Sequence, residues 1–86
     1  MKRNLTFHND PGHGWLEVPL ADISTLGVAD DITACSYQDE TNAYLEEDLD
    51  AAVYLQAARA AGWTIDTEDH YVDGDSFVRS LPGYGG

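Results

Sequence analysis

The chain has 86 residues, and its 16 acidic residues outnumber its 4 Lys and Arg to give a net charge of −12. This length predicts a single domain over residues 1–86 with a thin core, which argues against a cavity for a large cofactor. The excess of carboxylates argues against direct binding to nucleic acid or to an anionic membrane, because both would repel it. The composition therefore favours a basic partner.

The single cysteine and the N-terminus indicate a cytoplasmic protein. Cys35 is alone, so it forms no intramolecular disulfide, and we expect it to be a small buried hydrophobe on a strand. No apolar run approaches the length of a bilayer span, and the basic start at Met1–Asn4 lacks the apolar stretch of a signal peptide. We expect a soluble protein.

The first half of the chain predicts two strands, a loop and a short helix. "NLTFH" (4–8) and "WLEV" (15–18) favour strands, and the intervening "NDPGHG" favours a loop. We expect Trp15 in the core, with the glycines before it allowing a tight turn. Pro19 suits the first turn of a helix and Gly27 its left-handed end, which predicts a helix near 20–26.

The second half predicts a main helix between strands. "DITACSYQ" (31–38) and "NAYLE" (42–46) resemble a hairpin, and a helix follows at about 47–61. Residues 63–72 favour a strand, and Asp73-Gly74 favours a tight turn into a last strand at 75–80, with a frayed or extended tail at 81–86. The sum is a small α+β domain, in which the main helix packs on one face of a mostly antiparallel sheet.

The spacing of the acids and histidines gives little evidence for a metal site or a catalytic site. From Asp39 the sixth position of a calcium loop is Tyr44 instead of Gly, and from Asp69 the twelfth is Ser80 instead of Glu. His8, Asp10 and His13 lie close together in a loop, which leaves a transition-metal site as a weak alternative. No phosphate-binding loop, nucleophile elbow or Cys/His pair is present. We expect no cofactor and no enzymatic activity.

Two runs of carboxylates predict an interaction surface. Rows of acids at strand and helix spacing suit Lys and Arg side chains that normally hold a phosphate backbone, and Tyr is enriched among interface anchors. The candidate contacts of the first row are Asp39, Glu40, Glu46, Glu47, Asp48 and Asp50, those of the second row are Asp66, Glu68, Asp69, Asp73 and Asp75, and the candidate anchors are Tyr44 and Tyr71.

Three segments carry a resemblance to known sequences. At "DPGHGWLEVP" (10–19), "SYQ" (36–38) and "YLEEDLDAA" (44–52), the chain resembles a family of short acidic hypothetical proteins from bacterial, phage and plasmid genomes. The resemblance extends from about His8 to the end of the main helix. It implies no catalytic residues, but it implies a mobile-element context, where small acidic proteins look like inhibitors of host defence, including anti-CRISPR proteins and DNA mimics.

These observations leave three hypotheses. The first is a non-enzymatic inhibitor that binds the basic nucleic-acid-binding surface of a host defence complex in the host cytoplasm. The second is a small accessory or housekeeping domain whose acidity serves only solvation. The third is a weak metal-binding protein that uses the loop of His8, Asp10 and His13.

Overall fold

A computed structural model describes residues 1–85 and contains a five-stranded sheet with two α-helices. This confirms the predicted small α+β fold. No helix in this range has the length and hydropathy needed to cross a bilayer. The strands are β1 (Lys2–Asn9), β2 (Gly14–Pro19), β3 (Tyr37–Gln38), β4 (Asn42–Glu46) and β5 (Thr64–Tyr71), the α-helices are α1 (Leu20–Leu26) and α2 (Asp50–Ala60), and the 3₁₀ helices are Ala29–Asp31 and Phe77–Ser80.

The strands lie in the order β3-β4-β2-β1-β5, with antiparallel neighbours except at the last pair. β5 is parallel to β1 because α2 carries the chain back along the sheet before β5 begins. As a result β1, β4 and β5 all finish at the same end of the sheet, at Asn9, Glu46 and Tyr71. We call this end, with the connections that leave it, the loop end.

The main core lies between the sheet and the two helices. Strand residues alternate between the faces, and the helix-facing positions of β2 and β4 are apolar, as at Leu16, Val18 and Leu45. Ile23 of α1 and Tyr54 of α2 pack on them and are buried. The helix side of the sheet is therefore closed, as predicted for the main helix. The short helix is confirmed at its predicted bounds, and Gly27 ends it at φ 71°.

A second, smaller core lies on the opposite face of the sheet. Trp15 and Tyr44 point to this side, and Val78 of the C-terminal 3₁₀ helix covers them. The segment that follows stays attached, since the N–H of Gln38 donates to the carbonyl of Pro82 and the N–H of Tyr84 to that of Ser36. The C-terminal segment thus covers the β3, β4 and β2 side of this face. Trp15 is in the core, as predicted.

The predicted last hairpin is wrong. Residues Phe77–Ser80 form a 3₁₀ helix capped by Ser76, and β5 pairs with β1 in place of a strand at 75–80. The buried Asp10 carboxylate accepts the Ser76 N–H and pairs with Arg79, which draws this segment across the sheet. The tail, for which we expect a frayed or an extended chain, forms a β-bridge between Gly83 and Tyr37; Gly86 lies outside the described residues.

The predicted strand at 31–38 shortens to two residues. The Asp50 carboxylate accepts hydrogen bonds from the Thr33 N–H, the Thr33 hydroxyl and the Ser36 hydroxyl, so this segment turns toward the start of α2. Cys35 is exposed in that turn, and the expectation of a buried strand residue is wrong. The helix begins at Asp50, three residues later than predicted, because residues 47–49 form the turn that enters it.

Candidate functional site

The loop between β1 and β2 is held by one buried carboxylate. Oδ1 of Asp10 accepts the N–H groups of Gly12 (2.9 Å) and His13 (3.0 Å), while Oδ2 accepts the Ser76 N–H (3.0 Å) and Nε of Arg79 (2.6 Å). The Arg79 hydrogen bond, followed by that of Ser76, holds the pKa of Asp10 well below its usual range. The same guanidinium lies 5.1 Å from the ring centre of Trp15. The Gly-His-Gly-Trp loop is therefore a structural turn.

The glycines of this loop are required by close contacts. A Cβ on Gly14 would lie 2.6 Å from Oδ1 of Asn9 and 2.7 Å from Cε1 of Phe7. A Cβ on Gly12 would lie 2.8 Å from Nη2 of Arg79. Sequence reasoning identified the turn and missed Arg79, because the two partners of the ion pair are 69 residues apart and no local pattern joins them.

His8 of β1 and His13 of the loop that follows it each bind a different carboxylate. Nε2 of His8 lies 2.7 Å from Oε1 of Glu17, and Nε2 of His13 lies 2.7 Å from Oε1 of Glu46. Asp10 is engaged by Arg79, so His8, Asp10 and His13 do not converge. Within residues 1–85, no group of three or more His, Cys, Asp or Glu side chains is arranged to hold a metal ion.

The fold separates the acids of the first predicted row into some with structural roles and some that are exposed. Asp39, the first of them, lies at the turn between β3 and β4. Oδ1 of Asp39 accepts the N–H groups of Thr41 (2.9 Å) and Asn42 (2.7 Å), and these bonds lower its pKa. Oδ2 of Asp39 accepts the hydroxyl of Tyr44, whose ring is buried. Burial, then the Asp39 hydrogen bond, raises the pKa of Tyr44. Asp39 closes a turn and Tyr44 fills the core.

Glu46 and Asp50 are also placed inside the fold. Glu46 is buried and binds His13, and its carboxylate also accepts the Asp48 N–H at 3.2 Å. Asp50 is fully buried against Thr33 and Ser36. Burial therefore replaces the interpretation of Tyr44, Glu46 and Asp50 as surface contacts with structural roles, whereas Asp39 closes a turn and stays partly exposed. The exposed acids of the first row are Glu40, Glu47 and Asp48.

The second predicted row is exposed throughout. Three of its acids lie on β5, at the end of the sheet order, and two lie in the turn that follows. Tyr71, at the end of β5, has 61% of its surface accessible. The nearest base is Lys2, whose exposed ammonium lies 3.8 Å from Asp66. We call this surface the β5 acidic edge; it comprises Asp66, Glu68, Asp69, Asp73 and Asp75.

Parts of both rows lie at the same end of the sheet, the loop end. The Glu47 N–H donates to the carbonyl of Gly14, and the Val72 N–H donates to that of Asn9, which pairs with Gly14. Glu47 and Val72 thus flank β1 and β2, about 14 Å apart at three strand spacings. Glu47 and Asp48 therefore extend the β5 acidic edge across this end, while Glu40 lies at the opposite end.

Two of the four bases are occupied by buried acids, which leaves the acidic edge largely unneutralised. Arg3 binds Asp22 through Nε (2.8 Å) and Nη2 (3.0 Å), and this pair lowers the pKa of Asp22 and raises that of Arg3. Arg79 binds Asp10 in the same forked way, and its side chain comes within 4.0 Å of Asp75. Half of the Lys and Arg side chains are therefore paired with buried acids, and the bases that approach the β5 acidic edge are Lys2, at Asp66, and Arg79, at Asp75.

Two grooves on the surface are open to solvent, and the larger one, with a volume of about 410 Å³, is lined by Gln38, Asp39, Glu40 and Pro82. The groove between β1 and β5 has a volume of about 240 Å³, below the roughly 300–1,000 Å³ of typical small-molecule sites. Its lining consists of Asn4, Leu5, Thr6, Asp66, Thr67 and Glu68. Such a groove suits contact with an extended chain better than enclosure of a small ligand.

Comparison of the chain with protein-family models, curated proteins and solved structures finds no match.

Proposed function

We propose that this protein is a non-enzymatic binding protein that places the β5 acidic edge on the basic, nucleic-acid-binding surface of a partner protein. The observation that carries the proposal is the exposure of all five acids along one sheet edge and the turn that follows it. Glu47 and Asp48 extend the contact across the loop end, and Tyr71 provides an exposed aromatic anchor.

Electrostatics supports a basic partner. Alternate residues on a strand face the same side about 6.6–6.8 Å apart, so Asp66 and Glu68 form a regular row of charge. Long Lys and Arg side chains that hold a phosphate backbone can reach such a row. Attraction of this kind speeds association and weakens as salt screens it.

The division of the carboxylates supports binding over catalysis. The buried acids Asp10, Asp22 and Asp50 are engaged by hydrogen bonds that hold the fold together, while the acids of the β5 edge are solvated. General acid–base catalysis by two carboxylates requires one group to be desolvated beside a reacting centre. The exposed acids can attract a basic partner, but they are not desolvated in the way that acid–base catalysis requires.

The resemblance to short acidic proteins of phage and plasmid genomes restricts the class of partner that we propose. It suggests a host defence complex that binds nucleic acid, of the kind that anti-CRISPR proteins and DNA mimics inhibit. The protein would then act in the host cytoplasm and compete with DNA or RNA for a basic channel.

The test is a pull-down with the tagged protein from lysate of a bacterium that carries CRISPR systems, at low and at moderate salt. The variant replaces Asp66, Glu68 and Asp69 with Lys. The matched control replaces the exposed acids Asp30, Asp31 and Glu40 with Lys, which changes the net charge equally. We expect the wild type and the control to retain a stoichiometric nucleic-acid-binding complex at both salts, and the β5 variant to lose it.

Two outcomes would contradict this proposal. Retention of the complex by the folded β5 variant would show that the edge is not the contact. Recovery of only scattered basic proteins, all released at moderate salt, would show that the acids form a solvating surface. Circular dichroism of the three proteins verifies that each is folded.

A further inference from the structure

We propose that the partner binds by strand addition: an extended basic segment pairs its backbone with the free edge of β5 and sets Lys or Arg beside Asp66 and Glu68. This inference rests on the proposed function, and it adds main-chain hydrogen bonds to the attraction between charges. Strand addition gives affinity through the backbone and specificity through alternate side chains.

The two edges of the sheet differ in length and in whether their outer backbone groups are already paired. At one edge, β3 has two residues, and the C-terminal segment pairs along it: the Gln38 N–H donates to the Pro82 carbonyl, and the Tyr84 N–H donates to the Ser36 carbonyl. At the other edge, β5 has eight residues, and within residues 1–85 it pairs with β1 alone. A partner strand would therefore find a long open edge at β5.

The hydrogen bonds at the two ends of β5 show which amides face outward. The N–H of Thr64 donates to Met1, and the N–H of Val72 donates to Asn9, both at 2.9 Å. Backbone groups alternate in direction along a strand, so the even-numbered residues of β5 face β1. The odd-numbered residues direct their N–H and C=O groups away from the sheet; they are Ile65, Thr67, Asp69 and Tyr71.

Charge selects the occupant of this edge. An added strand would lie about 4.8 Å from β5, with its side chains directly beside those of Asp66 and Glu68. A second copy of this chain would bring its own β5 acids against these, and like charges on neighbouring strands destabilise pairing. Charge on an edge strand protects against such self-association. A strand with Lys or Arg at every second position meets the same edge favourably.

The experiment uses an eight-residue peptide, the length of β5, with alternating Lys and Thr, capped ends and a fluorescent label. Two further versions carry backbone N-methyl groups, one at every Lys and one at every Thr. Only one set of amides faces β5, so we expect one version to bind like the parent peptide and the other about tenfold more weakly or worse. Binding is measured by fluorescence anisotropy at low salt.

The matching change in the protein is Thr67→Pro, with Thr67→Val as its control. Proline removes the outward N–H of Thr67 and leaves the charge unchanged, and edge strands tolerate it on the solvent side. We expect Thr67→Pro to weaken binding of the parent peptide by about fivefold or more and Thr67→Val to leave it unchanged. Thermal unfolding of both variants verifies the fold.

The outcomes separate this inference from the proposed function. Equal binding of all three peptides, with loss in the variant that replaces Asp66, Glu68 and Asp69 with Lys, overturns strand addition and leaves the acidic contact standing. Failure of the parent peptide to bind the wild type also overturns strand addition, while the pull-down decides the proposed function by itself. Equal binding of the parent peptide to the Lys variant and the wild type overturns strand addition beside Asp66 and Glu68, and the pull-down again decides the proposed function.

Discussion

At the scale of single residues, the carboxylates of this protein divide into two groups with different physical roles. Asp10, Asp22 and Asp50 are buried, and each accepts several hydrogen bonds that join segments distant in the chain. Burying a carboxylate is tolerated only where donors compensate for lost water. Within residues 1–85, the acids of the β5 edge are exposed, and bases approach only Asp66 (Lys2, 3.8 Å) and Asp75 (Arg79, 4.0 Å), so the edge remains available for contact with other molecules.

Substitution of Asp50 tests the division of the carboxylates into buried structural acids and exposed acids. We expect Asp50→Ala to lower the free energy of unfolding by about 2–3 kcal/mol, because the buried hydroxyl of Ser36 and the two donors of the half-buried Thr33 lose their acceptor. The nearby exposed Asp48 is the control, and Asp48→Ala should change stability by less than about 0.5 kcal/mol. Urea unfolding measures both. Equal effects of the two substitutions would contradict the structural role of Asp50.

The ion pair of Asp22 predicts a pH dependence of stability. The Arg3 hydrogen bond, followed by the Tyr54 hydroxyl, lowers the pKa of Asp22 from 3.8. Its contribution to stability is therefore fully present above the unfolded-state pKa and is lost as the pH falls through the lower folded-state pKa. We expect wild type to be more stable than Asp22→Asn at pH 7, and the difference to shrink below about pH 4. Urea unfolding between pH 7 and 3 checks this, and a constant difference would refute it.

At the scale of elements, the C-terminal segment decides which face of the sheet is open. Its 3₁₀ helix covers Trp15 and Tyr44 near β2 and β4, and its pairing with β3 closes that edge. Within residues 1–85, no strand pairs with the opposite edge at β5. The path of residues 76–85 therefore explains why the β3 edge is closed and the β5 edge is open.

Val78 is the side chain that attaches this segment to the sheet. It is fully buried against Trp15 and Tyr44. We expect Val78→Ala to lower the free energy of unfolding by about 2 kcal/mol, because it removes buried methyl groups and leaves a cavity. Ser80→Ala, in the exposed end of the same helix, is the control and should have little effect. Chemical denaturation that gives equal stabilities for the two variants would show that the segment is not held by Val78.

At the scale of the whole molecule, the charge is distributed unevenly. The net charge is −12, yet two of its four bases pair with buried acids. Acids concentrate along β5 and across the loop end, where an electrostatic field would steer a basic partner toward one side of the molecule. A general solvating surface does not require this concentration. The uneven distribution is why the proposed function places the contact on β5.

Sequence patterns alone determined the fold class, the short helix at 20–26, the burial of Trp15 and the location of the main helix. They succeed because alternation, Pro19, Gly27 and the apolar face of α2 act over a few residues. The five acids of the second row were also identified as exposed candidates from sequence, since charged residues on a polar strand remain hydrated.

Only the tertiary structure decided which acids are free and which face is open. Asp10 joins Arg79, and Glu46 joins His13, across long stretches of chain, and no local pattern encodes such pairs. The turn residues Asp73-Gly74 predicted a hairpin. The hydrogen bonds from Ser76 and Arg79 to the Asp10 carboxylate instead direct the chain across the sheet. Local preferences are small compared with a forked, charge-assisted pair at a buried carboxylate, so the long-range contact set the path of the chain.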